Sequence, residues 1–369
     1  MIQFVSFASS VTLLIIGHIL FWYAVIRLFH IVSLSGQVIS ALIIFSLFFG
    51  AILSSYLSHR RHNLFTRFYY LFSALWIGLF INMSLMIGLI ILVRLAEVRL
   101  GFSVSLIGLK FIFVGGGLAL SIWGIGRAYF PKIVTYDIKI KDLPSAWDNK
   151  VMVQLSDLHL GPIYQKKFFY RLIDKVNTLK PSAVFITGDL FDGTEADFSW
   201  LNHPFAKLKA PQGIYYGFGN HDLYLGFQRV IDLLSDNPVT ILDNSLVNID
   251  GLQIIGVNYS FDSSFDLEKE ILQKVNYRKD QPSILLLHAP RNIQAAKKAG
   301  IDLQLSGHTH DGQLWPFNYI VKIAHHGYSY GLFREDGFSL VVNAGAGTWG
   351  PPMRTAARSE IVKIILHRA

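Results

Sequence analysis

The chain contains no cysteine. Disulfides, thiolate-ligated zinc and a cysteine nucleophile are therefore excluded. The compartment stays open, because cytosolic and secreted bacterial proteins alike can lack the residue. Charge is scarce as well. Asp, Glu, Lys and Arg make up 16% of the 369 residues, against about 25% in an ordinary soluble domain. The scarcity is local. Residues 1–132 hold one acid, Glu97, and nine basic residues: Arg27, Arg60, Arg61, Arg67, Arg94, Arg99, Lys110, Arg127 and Lys132. The whole formal net charge of +8 therefore belongs to this segment, and the rest of the chain is balanced. With no basic excess there and no run of Lys/Arg, a nucleic-acid partner is not expected.

In place of charge, the first third has long apolar runs. Four of them, at about 4–25, 38–57, 68–93 and 106–125, reach the roughly 20 residues needed to cross a bilayer. A cleaved signal peptide would have one short apolar core followed by polar sequence, so these runs read as an anchor that stays. Four buried helices of a soluble domain are a poor alternative, because the region has too few polar residues to coat a soluble surface. Residues 1–132 are thus expected to form an all-α four-helix transmembrane bundle. Arg60, Arg61, Arg67, Arg127 and Lys132 fall on one side, Arg27, Arg94, Arg99 and Lys110 on the other. The positive-inside tendency then places both termini and the C-terminal domain in the cytoplasm. Gly115, Gly116 and Gly117 read as a close helix-packing face, and Lys110 as a side chain reaching toward the headgroups. No acid, His pair or pair of interrupted helices is repeated across this half, so nothing marks a transport path.

From residue 133 to 369 the pattern changes to short strands alternating with helices. Strands are expected at 133–140, 151–155, 183–187, 213–217, 252–257, 284–287, 303–305 and 340–343, with helices at 166–179 and 295–299. Pro181 closes the first helix, and Asp250-Gly251 signals a hairpin turn. The expected fold is an α/β domain of two packed mixed β-sheets flanked by helices.

Just past these strands lie five short polar motifs: Asp157-Leu158-His159, Gly188-Asp189-Leu190-Phe191-Asp192, Gly219-Asn220-His221-Asp222, His288, and Gly307-His308-Thr309-His310. Singly, a D-x-H or G-N-H is usually a turn, and a lone histidine after a strand is usually a core residue. Jointly, they supply carboxylate, amide and imidazole donors at strand ends, where loops present side chains on a rigid frame. A mixed N/O set without thiolate suits Mn, Fe, Zn or Co rather than Ca. Asp192 and Asp222 read as residues supporting this set, Asp222 by orienting His221.

In these motifs the chain resembles the calcineurin-like metallophosphoesterases, whose pattern is D-x-H, G-D-x-x-D, G-N-H-[DE], H and G-H-x-H. The resemblance runs from about residue 134 to 361. Its flavour is that of a membrane-anchored subgroup, seen in Lys141-Asp142-Leu143-Pro144, in the run from Gln154 to Gly161, and in Gly347-Thr348-Trp349-Gly350-Pro351-Pro352. Asp311 departs from the pattern where relatives often carry glycine. The resemblance implies two divalent metal ions, manganese first among the choices. Asp157, His159 and His310 would hold one, Asn220, His288 and His308 the other, with Asp189 bridging. It implies in-line attack on phosphorus, with His221 and Asp222 in the catalytic machinery. Arg354, in the Gly/Pro-rich segment 345–358, reads as a phosphate contact or as a surface ion pair. His325 and His326 read as a solvated loop more than as part of the same mouth. Four membrane helices on such a site point to a lipid-linked phosphoester. Membrane-linked relatives are tied to UDP-2,3-diacylglucosamine hydrolysis in lipid A synthesis. Another phospholipid or a cell-wall intermediate is the alternative, and a sensor or interaction platform without activity is the non-enzyme reading. Nothing in the sequence sets an oligomeric state.

Overall fold

The computed structural model describes residues 2–61, 63–262 and 266–369, with side chains from residue 11 onward apart from 268 and 269. It divides into two compact units, Met1–Gly124 and Ile125–Ala369. The division falls inside the last apolar helix, so its final turn belongs to the second unit.

The first unit consists of α1 (Ile2–Phe29), α2 (Leu34–Arg60), α3 (Leu64–Leu100) and α4 (Leu106–Phe111), the last running through a π turn (Ile112–Gly116) into α5 (Gly117–Tyr129). Four helical spans are long and apolar enough to cross a membrane: Val11–Phe29, Leu34–Arg60, Leu64–Leu100 and Leu106–Tyr129. Each described span is longer at its C-terminal end than the apolar window suggests, because polar residues finish helices that apolar residues begin. Ser33 and Ser105 cap α2 and α4 by accepting from Gly36 N and Gly108 N. Asn63 and Thr66 cap α3 reciprocally, and Gly101, at φ 71°, ends it. Phe21, Ile44, Phe80 and Phe113 form the interior, with His18 stacked on Phe80 at 3.8 Å. Large apolar side chains such as Leu20, Leu42, Phe72 and Ile107 point outward, as helices bathed in lipid require. A Cβ on Gly116 or Gly117 would meet the side chain of Met86 or Met83 at 2.7 Å. These glycines are therefore packing residues.

The second unit runs β1 (Lys132–Ile140), β2 (Val151–Leu155), α6 (Lys166–Thr178), β3 (Ala183–Thr187), α7 (Asn202–Lys207), β4 (Ile214–Gly217), α8 (Asn220–Leu225), α9 (Phe227–Leu234), β5 (Thr240–Ile241), β6 (Ser245–Ile249), β7 (Leu252–Val257), β8 (Ser283–Leu287), α10 (Ile293–Ala299), β9 (Leu303–Ser306), α11 (Phe317–Ala324), β10 (Gly331–Glu335), β11 (Phe338–Val342) and β12 (Glu360–Arg368). Two six-stranded mixed sheets result, ordered β1-β12-β2-β3-β4-β5 and β10-β11-β9-β8-β7-β6.

The sheets pack face to face. Met152, Phe185 and Tyr215 of the first meet Ile254, Leu286, Leu305 and Val341 of the second in one core. The opposite face of the first sheet (Val153, Leu155, Val184, Ile186) is covered by Phe168, Phe169, Leu172 and Ile173 of α6. The opposite face of the second (Ile255, Leu285, Leu287, Leu340) is covered by Ile293 and Ala296 of α10. Strands buried on both faces are mostly apolar rather than alternating, which is why β2, β3 and β8 read so plainly. Burying one large apolar side chain stabilises by roughly 1.5–3 kcal/mol, so these layers hold the loops between them firmly. β2, β3 and β4 are mutually parallel, as are β7, β8 and β9. Their C-terminal ends carry all five polar motifs.

Candidate metal centre

Asp157 and His159 follow β2, Asp189 follows β3, Asn220 opens α8 after β4, His288 follows β8, and His308 and His310 follow β9. The structure brings the ionisable members together in three overlapping clusters: Asp157 with His159 and His310, His159 with Asp189 and His221, and Asp189 with His288 and His308. Within each, the ligand atoms lie within 4.8 Å of one another. Asp189 is common to the second and third, its Oδ2 3.1 Å from His288 Nε2 and 3.9 Å from His159 Nε2. Asn220 is buried, and its Oδ1 has no hydrogen-bond partner among the described residues.

Five of these residues adopt the left-handed backbone region: Asp157 (φ 51°), His159 (50°), Asp189 (50°), His308 (70°) and His310 (49°). Non-glycine residues seldom do so, and such conformations persist where surrounding structure over-determines them. Here the supports are specific. Asp157 Oδ2 accepts from Ser156 Oγ at 2.5 Å, and both its oxygens accept from His308 N at 3.1 Å. His159 N donates to Asp189 O at 3.1 Å. Asp189 Oδ1 accepts from His221 N at 2.8 Å. Close backbone approach does the rest. A Cβ on Gly188, itself at φ 90°, would lie 2.5 Å from His288 Nδ1 and 2.8 Å from Gly219 Cα. A Cβ on Gly307 would run into Ser156 Oγ and Asp157 Oδ2.

Partners on the far side of each ring decide which imidazole nitrogen faces the cluster. His288 Nδ1 sits 2.7 Å from Thr187 O, so it carries the proton and leaves Nε2 toward Asp189. His159 Nδ1 lies 3.2 Å from Asp192 Oδ1, which turns Nε2 toward His310 Nε2, 3.1 Å away. His221 Nδ1 is 3.0 Å from Asp192 O, so a backbone carbonyl of the Asp189–Asp192 loop orients that ring. His310 Nε2 is 3.3 Å from Asp157 Oδ1.

The electrostatics follow from crowding charge out of water. Burial would raise Asp189, yet the facing His288 outweighs it and holds the carboxyl well below the usual range. Burial would lower His288, but Asp189 pushes it up to about 9. Burial, reinforced by His288, takes His308 down to about 3. His310 is lowered by burial and by neighbouring His159 and Arg354. The buried Asp189 carboxylate balanced by protonated His288, two imidazole nitrogens facing each other at 3.1 Å, and an unpartnered amide oxygen together form a donor set suited to divalent cations. The residues present fit such a group.

Two expectations are corrected. Asp222, placed in the catalytic machinery and expected to orient His221, is fully buried. It accepts from Asp189 N (2.7 Å) and Gly219 N (2.8 Å) on one oxygen and from Phe191 N (3.0 Å) on the other. Its carboxylate is consumed by the backbone of two ligand loops and cannot face a substrate. Arg354, expected at a phosphate or in a surface ion pair, is also fully buried. Its guanidinium donates to Gly347 O, Ala344 O and His310 O and lies 3.0 Å from His310 Nδ1. The polar composition of 345–358 suggested solvent, but the segment folds inward over the first sheet's ligand loops: Ala346 N and Gly347 N donate to Ser156 O and Asp157 O. Asp311, where glycine is common, has φ 46°, a conformation glycine adopts freely and Asp tolerates. His325 comes nearer than a solvated loop implies, its ring 6.0 Å from that of His308, while His326 is exposed. No motif points to the aromatic surround: Tyr259 lies 5.5 Å from His308, Tyr224 5.2 Å from His221 and Trp349 6.1 Å from His221, ring centre to ring centre.

A model of the calcineurin-like phosphoesterase family matches residues 151–312. An uncharacterized metallophosphoesterase of Helicobacter pylori is 35% identical over 239 residues, covering 62% of this chain and 64% of that one. The chain thus spans a little under two thirds of that relative's length. One from Campylobacter jejuni is 33% identical over 260 residues, 69% of each chain. A transmembrane protein with metallophosphoesterase domain from Danio rerio is 32% identical over 273 residues, 68% of this chain and 61% of that one.

Proposed function

The chain belongs to the calcineurin-like metallophosphoesterase family, and from that premise we propose that it is a membrane-anchored, metal-dependent hydrolase of lipid-linked phosphodiesters or pyrophosphates. The observation that carries the reading is the convergence on Asp189 of donors from the ends of both sheets. Asp157, His159 and His310 would hold one divalent cation and Asn220, His288 and His308 a second, with Asp189 placed between the two sets. Bound there, the cations supply Lewis-acid stabilisation of phosphoryl charge and an activated water. Manganese is the first choice, with iron, zinc and cobalt compatible with the same donors.

The protein's own groups do the rest. The Thr187 and Asp192 carbonyls fix the tautomers of His288 and His221. With Nδ1 committed, His221 presents Nε2. Protonated there, it hydrogen-bonds the oxygen between phosphorus and the leaving group and passes its proton to that oxygen as the P–O bond breaks and the bond to water oxygen forms. The rigid left-handed turns hold these groups in place before substrate arrives.

The substrate class rests on location. Tethering a site to the bilayer by four membrane-spanning helices makes most sense when its substrate, or the lipid part of it, resides there. UDP-2,3-diacylglucosamine fits, with a pyrophosphate for the cations and acyl chains for the membrane, and would be met on the cytoplasmic face of a bacterial inner membrane. The test is hydrolysis of that compound by detergent-purified full-length protein with Mn²⁺ beside a His221→Ala control. Release of UMP and lipid phosphate, lost in the control, supports the reading. Cleavage of a generic phosphodiester alone moves the search to other lipid-linked substrates, and failure of metal-loaded protein on both sinks it.

A further inference from the structure

Helix α11 (Phe317–Ala324) is amphipathic in sequence, yet none of its residues is buried. Ile323 is 78% exposed, Ile320 60% and Tyr319 59%; Phe317 is exposed as well, and so are Trp315 just before the helix and Trp349 at 58%. Single exposed apolar residues are ordinary, but six large ones on and around one short helix mark a surface that meets something other than water. His325, the residue that follows α11, has its ring 6.0 Å from that of His308, so whatever meets α11 also stands near the metal centre.

The partner is indicated by what brackets the helix. Before it, Trp315 N donates to Thr355 Oγ1 at 3.0 Å, and the next residue, Ala356, accepts at its carbonyl from Arg127 Nη2 at 3.0 Å. Trp349 is tied to the same place, because Gln313 bonds both its N–H and its carbonyl. After the helix, Tyr330 OH accepts from Lys132 Nζ at 3.0 Å. Arg127 lies in the last turn of α5, the final membrane-spanning helix, and Lys132 three residues beyond its end. Phe130, Arg358 and Ser359 extend the junction: Phe130 O accepts from Arg358 Nε, and Ala128 O accepts from Ser359 Oγ. α11 is thus fastened at both ends to the point where the chain leaves the membrane. Its residue types suit that depth. Trp and Tyr favour the membrane interface, Ile and Phe sit below them, and Lys322 can reach the headgroups.

We propose that α11, with Trp315 and Trp349, docks into the interfacial layer of the bilayer and holds the metal centre's mouth against the lipid headgroups. The docking face stands whichever phosphoester is cleaved. The preference for membrane-resident substrates that follows from it rests on the reading given under Proposed function.

The lack of native cysteine makes the test direct, since Ile320→Cys, Ile323→Cys and, as a control on an exposed loop, Asp280→Cys each give one attachment point for a nitroxide. Full-length protein is reconstituted in phosphatidylethanolamine/phosphatidylglycerol vesicles. Collision of each label with oxygen, which concentrates in lipid, is compared with collision with a water-soluble nickel chelate. The expected result is an oxygen-to-nickel ratio several-fold higher at 320 and 323 than at 280. Equal ratios at all three positions overturn the proposal, as does shielding of 320 and 323 from both reagents, which would mean that protein covers the face. A second variant, Ile320→Glu with Ile323→Glu, is expected to lose turnover of a vesicle-embedded lipid phosphodiester several-fold while cleaving soluble bis(p-nitrophenyl) phosphate at the native rate. Equal loss on both substrates counts against docking. Because the label measurement needs no turnover, an inactive protein with lipid-embedded labels would sink the enzymatic reading and leave the docking face standing.

Discussion

Arg354 grips His310 from behind. Its Nη1 donates to the His310 carbonyl at 3.2 Å, and its Nη2 lies 3.0 Å from His310 Nδ1 while donating to Ala344 O at 2.6 Å and Gly347 O at 2.7 Å. A fully buried guanidinium with these partners ties the segment after β11 to the ligand turn after β9. Lysine cannot reproduce a planar fork that reaches three carbonyls at once.

Arg354→Met should therefore act on the metal centre without touching substrate. Each carbonyl left unpaired in the interior costs about 1–3 kcal/mol, so the melting temperature should drop. His310, freed on one side, should release the cation it shares with Asp157 and His159 while the second cation stays. Metal analysis after dialysis checks this. Two tightly held metals per chain in Arg354→Met would show that His310 needs no such support.

Asp222→Asn tests the other buried support. The carboxylate accepts three backbone N–H groups, from Asp189, Gly219 and Phe191, and asparagine can accept on one oxygen only. Removing acceptance at the second oxygen should destabilise the protein by roughly 1–3 kcal/mol and loosen Asp189. Thermal unfolding should reveal the loss in metal-free protein too, and a variant as stable as the native chain in that state would refute the role.

These two residues also mark where sequence reading ended. The β-α-β frame was legible because strands buried on both faces must be apolar, and the ligand motifs because their donor types recur just after such strands. β12 was not, although it lies between β1 and β2: Glu360, Lys363 and His367 interrupt its apolar pattern, and Glu360 is buried by accepting from Ala344 N and Tyr330 OH. The left-handed turns at Asp157, His159, Asp189, His308 and His310 leave no trace in composition, since they depend on hydrogen bonds from other loops. The place of Arg354 is hidden for the same reason: a Gly/Pro-rich polar segment has the composition of a solvated loop, and only the fold shows that its carbonyls need a donor.

Cation binding should release protons. In the metal-free centre Asp189 holds His288 protonated up to about pH 9, and an imidazole must be neutral to ligate. Near neutral pH, below that value, loading must displace the His288 proton. Apparent affinity should thus rise with pH and level off as pH passes about 9. Calorimetric titration in buffers of different ionisation enthalpy measures the release, and a binding heat independent of buffer would contradict it.

His221→Ala separates a proton donor from a ligand. Its ring is held by the Asp192 carbonyl, and its backbone N–H, which the substitution keeps, donates to Asp189 Oδ1. The bridging carboxylate therefore keeps its support when the imidazole goes. Turnover should fall by about 10²–10⁴-fold, the usual worth of a positioned acid, with metal content unchanged. The loss should be smaller for a substrate with an acidic leaving group such as p-nitrophenolate, because that oxygen departs without a proton. If metal left together with activity, the cluster of His159, Asp189 and His221 would be a ligand set in its own right, and the proton would have to come from elsewhere. Retained metal with equal losses on good and poor leaving groups would instead make His221 a contact to the phosphoryl oxygens, and the leaving-group series decides between the two.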